Sequence, residues 1–174
     1  MYRQRFSIVF SVVALISVVF NFVQPERVGQ AAQKSDIICK DVTLIATEDA
    51  YISGYEPLYN YGGSSTIRVT RSSTGRGALL KWDLSGIPAY ASITSASMTL
   101  TVSGSASTTF SLYHIRRDWV AGNLDASTSS PSNPGVTWGY SDYQGGSAWG
   151  GNGVSNTNTD RYDLNLWTAT TSSF

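Results

Sequence analysis

The sequence predicts an all-β domain built from short antiparallel strands, and three observations predict it. Apolar residues recur at every second position from about Thr43 onward, Gly, Ser, Asn and Pro break these runs often, and helical periodicity never extends beyond two turns. The length agrees with this. With the first 31 residues set aside, about 140 of the 174 remain, enough for one β-sandwich of roughly 100 to 200 residues.

Residues 1–31 are predicted to be an export signal. Arg3 and Arg5 precede an apolar run from Phe6 to Val23, and the small residues Gly29 and Ala31 follow two apart, so cleavage is expected after Ala31. The competing expectation is an uncleaved anchor, because a run of about 18 residues approaches the span a bilayer needs. Residues 32–42 then read as a linker, and 43–174 as the domain. Removing the signal leaves 9 basic against 11 acidic residues, a nearly neutral chain leaning acidic.

Within the domain, Ala50 and Ile52 alternate weakly, and Asn60, Gly62 and Gly63 mark a turn. Ile67 and Val69 then alternate with Thr66, Arg68 and Thr70. The clearest strand is Gly77 to Leu84, with Ala78, Leu80, Trp82 and Leu84 on one face, and Trp82 is expected in the core. Ser85-Gly-Ile-Pro88 makes a corner, because proline lacks a backbone donor and fixes φ. Ala96 to Val102 alternates again, and the economical link to Thr109–Ile115 is a hairpin. Residues 122–158 hold eight of the 16 glycines together with Trp138, Tyr140, Tyr143 and Trp149, whose ring area favours ordered loops over disorder. Arg161 to Trp167 reads as a further strand with Leu164 and Leu166 on one face; nothing after it closes the sheet, so additional strands are expected past Phe174.

Composition excludes several classes of function. Only 14% of residues are charged and the 12 basic and 12 acidic residues balance, which leaves no basic excess for nucleic acid. Cys39 is the single cysteine, so an internal disulfide is impossible. His114, the single histidine, lies beside Tyr113 in a predicted strand, and there is no Gly-x-Ser-x-Gly elbow, so a serine nucleophile has no visible base. The aspartates show no spacing that selects a glycosidase pair. Asn156, Asn158 and Asp160 imitate the start of an EF-hand, but the sixth position is Arg161 and the twelfth Trp167.

Sugar recognition pairs aromatic platforms with polar groups, because a pyranose has an apolar C–H face and a polar rim. Two loops offer this combination: Tyr140, Tyr143 and Trp149 lie among Asn, Ser and Gly, and Tyr59 and Tyr61 crowd with Tyr55. Packing inside the loops is the competing role for Tyr143 and Trp149.

The succession Asp49-Ala-Tyr-Ile, Asn60-Tyr-Gly, Arg76-Gly-Ala-Leu-Leu-Lys-Trp-Asp-Leu-Ser-Gly-Ile-Pro88, then Ile93, Ala96 and Leu100, and further on Trp119-Val-Ala-Gly122 and Thr137-Trp138, resembles the DNRLRE domain family. It is also similar to the disaggregatase-related repeats and the carbohydrate-binding modules near them. Two positions depart from the pattern: Ala121 stands where a glutamate is usual, and Arg76 is one place from the family arginine. The resemblance implies a jelly-roll-like antiparallel β-sandwich in a large secreted or cell-surface protein, with polysaccharide or cell-wall glycan as partner and catalysis left to neighbouring domains. No membrane contact is expected once the signal is removed. It also suggests a structural calcium ion, for which Asp49 and Asn60 are the candidates by position; the alternatives are a turn-closing aspartate and an asparagine in a left-handed turn. Rival expectations are a purely structural stalk repeat without a sugar site, and a polysaccharide lyase or hydrolase domain.

Overall fold

A computed structural model describes residues 8–22, 38–70, 74–103, 108–128 and 134–171. The described residues are all-β without a helix, in eleven strands: β1 (Ile8–Phe22), β2 (Ile38–Ser53), β3 (Tyr59–Asn60), β4 (Ile67–Val69), β5 (Arg76–Trp82), β6 (Ser92–Ser103), β7 (Thr108–Ile115), β8 (Ser127–Thr128), β9 (Tyr140–Asp142), β10 (Ser147–Ala148) and β11 (Arg161–Thr171). The strand pairs whose register is described are antiparallel. This is the fold class that the two-residue rhythm predicts.

The chain divides into two compact units. The first comprises Met1–Val12, Glu48–Leu80 and Thr101–Phe174, the second Val13–Thr47 and Lys81–Leu100. In the first unit, Ile8–Phe10 pairs with Ile67–Val69, β3 with β8, β9 with β10 and β7 with β11. In the second unit, Leu15–Phe22 pairs with Ile38–Ile45, and the Thr47 hydroxyl donates to the Lys81 carbonyl at 3.2 Å. Residues Ile8–Phe22 of the apolar run assigned to an export signal are thus an extended strand.

The core of the first unit is Ala50, Ile52, Leu79, Trp119, Val136, Trp149 and Val154, with Ile115, Ala121 and Trp138 packed against it. Burial of these side chains is the main force holding residues 119–128 and 134–160 to strands β2 and β5. Two sequence expectations are corrected here. On β5 the buried residue is Leu79, at 4% exposure, while Ala78 is exposed and Trp82 only half-buried, so the core takes the opposite face from the one carrying Trp82. The hairpin expected between the strands at 96–102 and 109–115 gives way to other pairings: β6 pairs with β1, and β7 with β11. Non-local partners decided this, and a turn-rich link alone cannot.

Candidate functional site

Asn60 and Asp160 are the two polar nodes around which the loops assemble. Asn60, in β3, is fully buried, and its amide donates to the carbonyls of Ala121 at 2.7 Å and Val136 at 2.8 Å. Its side-chain oxygen accepts the N–H groups of Leu124 at 3.1 Å and Gly62 at 3.2 Å. Gly122, at φ +77°, passes so close that a Cβ there would lie 2.6 Å from that oxygen. Asn60, a calcium candidate by position, thus has both ends of its side-chain amide on backbone groups. It also lies outside the left-handed residues other than glycine, which are Ala126 and Val154 among the described ones. Asp49 is partly buried, and burial pushes its carboxyl above the ordinary carboxylate range. No group of three or more His, Cys, Asp and Glu side chains placed to hold an ion occurs among the described residues.

Asp160 occupies the false EF-hand segment and does something else there. Its buried carboxylate accepts the N–H groups of Gly150 at 2.8 Å, Gly151 at 2.9 Å and Asn156 at 3.3 Å and the Thr159 hydroxyl at 3.1 Å, with Arg117 3.7 Å away. Burial pushes this carboxyl up, yet the donors together hold it below the ordinary range. The loop is therefore closed by N–H groups gathered on a carboxylate.

The predicted aromatic residues separate into core and surface. Trp149 is 6% exposed, belongs to the core, and donates its indole N–H to the Thr137 carbonyl at 3.1 Å, the packing role that competes with a sugar platform. Tyr140 and Tyr143 are half-buried and meet edge to face, with centroids 4.9 Å apart. Tyr61 is 2% exposed and stacked on Tyr51 at 4.1 Å. Tyr59 is half-buried, 6.4 Å from Tyr61.

The second tyrosine loop carries a more complete polar and aromatic arrangement. After β2 the chain turns at Gly54, whose N–H bonds the Gly75 carbonyl at 3.0 Å; a Cβ there would lie 2.8 Å from the Thr74 carbonyl oxygen, so only glycine allows this approach. The turn raises Tyr55, 44% exposed, and Glu56. The Arg76 guanidinium lies 5.3 Å from the Tyr55 ring centroid and 3.7 Å from the Glu56 carboxylate, and that carboxylate also accepts the Tyr61 hydroxyl. Burial first, and then this hydrogen bond and the negative charge, raise the Tyr61 hydroxyl far above its ordinary range. The Arg76 Nε and the Ser53 hydroxyl are buried with no hydrogen-bond partner. Sequence reasoning missed Glu56 and Arg76, because a charge pair 20 positions apart becomes visible only when the turn brings β5 beside residue 56.

A sequence profile of carbohydrate-binding module family 96 matches residues 40–138, more than half of the chain. The chain belongs to carbohydrate-binding module family 96. This establishes a carbohydrate-binding module of a non-catalytic family, within the broad group that the sequence resembled. Neither the curated proteins nor the solved structures include a match.

Proposed function

We propose that this module binds a polysaccharide at the surface formed by Tyr55, Tyr59, Glu56 and Arg76, and holds a larger secreted or cell-surface protein to that glycan. One observation carries the reading: an exposed tyrosine ring stands beside a guanidinium and a carboxylate that still have hydrogen-bonding capacity. A sugar would lay its C–H face on the ring and its hydroxyls on the charged pair. Arg3, Arg5, the apolar run after them and the small residues at 29 and 31 support export.

Affinity electrophoresis of the full chain through gels carrying soluble polysaccharides tests the site. Retardation is expected for the wild type and is lost, by about tenfold in affinity, in Tyr55→Ala. A Tyr90→Ala control, at a residue 72% exposed, retains it. Loss in Tyr143→Ala with Tyr55→Ala unaffected would move the site to the Tyr140–Tyr143 pair, and no retardation on any polysaccharide would favour a stalk.

A further inference from the structure

We infer, on the glycan reading given above, that Tyr61 is the positioning residue of that surface: its buried hydroxyl holds the Glu56 carboxylate, which in turn holds the Arg76 guanidinium over the exposed Tyr55 ring. Each link is a contact of the structure. The Tyr61 hydroxyl donates to Oε2 of Glu56, the same oxygen lies 3.7 Å from Nη2 of Arg76, and that guanidinium stands 5.3 Å from the Tyr55 ring centroid. Exposure rises outward along this path, from 2% at Tyr61 to 44% at Tyr55. A buried hydroxyl thus reaches a surface ring through two charged side chains.

Packing fixes the inner end of the path most firmly. The Tyr61 ring is stacked on Tyr51, and its backbone is held on both sides, at Asn60 by four side-chain hydrogen bonds and at Gly63 by an N–H bond to the Leu124 carbonyl at 2.8 Å. The hydroxyl also stays protonated: burial first, and then the bond to Glu56, raise it far above its ordinary range, so it remains a donor throughout the neutral range. Farther out, packing gives less. The Glu56 side chain is 41% exposed, and Arg76 buries its Nε without a hydrogen-bond partner, so the guanidinium takes its orientation from the carboxylate at Nη2. A glutamate and an arginine without such an anchor sample many rotamers, and ordering them on contact with a sugar weakens binding. The Tyr61 hydroxyl settles that ordering when the chain folds.

Tyr61→Phe tests this, because it removes the hydroxyl and keeps the ring that stacks on Tyr51. Affinity electrophoresis of the full chain through galactomannan, xylan and polygalacturonate gels is expected to show retardation weakened about fivefold, with a melting temperature within about 2 °C of the wild type. Glu56→Ala is expected to weaken it about tenfold, and adding Tyr61→Phe then changes it less than about twofold, since the link is already cut. In NMR spectra the Arg76 Nε–H signal is expected to shift or broaden in Tyr61→Phe, a change that loss of a merely structural hydroxyl would not produce. An Arg76 signal unmoved in Tyr61→Phe would overturn the relay whatever the gels show. Equal losses from Tyr61→Phe with and without Glu56 would make the tyrosine a packing residue and overturn its positioning role, leaving the glycan site standing. Retardation indifferent to Tyr55→Ala would overturn the site itself, and the role of Tyr61 with it.

Discussion

Replacing Asn60 with alanine would strand four backbone groups at once, the carbonyls of Ala121 and Val136 and the N–H groups of Gly62 and Leu124. Each buried group left without a partner costs about 1 to 3 kcal/mol, so Asn60→Ala is expected to lower stability by about 3 kcal/mol or more in urea unfolding. A loss under about 1 kcal/mol would show that water takes over those bonds. Asp160 gives a pH dependence whose sign follows from its donors. Its carboxyl is held below the ordinary range in the folded chain, so it stabilises the fold above the unfolded value of about 3.9 and stops doing so as the pH falls through the lower folded value. Thermal melts between about pH 6 and pH 2 are expected to show the wild type losing stability below about pH 4, with Asp160→Asn less stable at neutral pH and flatter across the acidic range. Oxygens suited to a cation are equally suited to backbone N–H groups, which is how the side chains of Asn60 and Asp160 are used here.

At the scale of the strand, alternation identifies extended structure but not which face is inward. β5 carries apolar residues on both faces, with Leu79 between Ala78 and Leu80, and the periodicity cannot rank them. The loops after residue 119 decide, because Trp119, Val136 and Trp149 share a core with Leu79. Leu79→Ala is expected to cost about 3 kcal/mol, since it removes a buried side chain from a packed cluster. Leu164→Ala on β11, where the leucine is 79% exposed, should stay within about 0.5 kcal/mol of the wild type in the same denaturant titration. Equal costs at the two sites would mean that the strand faces are misassigned.

For the whole molecule, far-UV circular dichroism of the purified chain is expected to report β-structure with negligible helix, and a helical spectrum would contradict every element above. The export proposal predicts that a secreted product begins at Ala32 or within a few residues of it; a product retaining β1 would make the segment an anchor. The chain's own residues were enough to specify an all-β antiparallel fold and the positions of β4, β6, β7 and β11 to within a few residues, because period-two patterning and turn residues are local signals, while the glycan-binding class came from the resemblance of its motifs to a family. Tertiary structure alone decided that Trp149 and Tyr61 are core, that Asn60 and Asp160 bind backbone groups, and that Glu56 meets Arg76. Those outcomes depend on which distant segments are brought together, and burial and pairing are properties of that company, which no single stretch of sequence records.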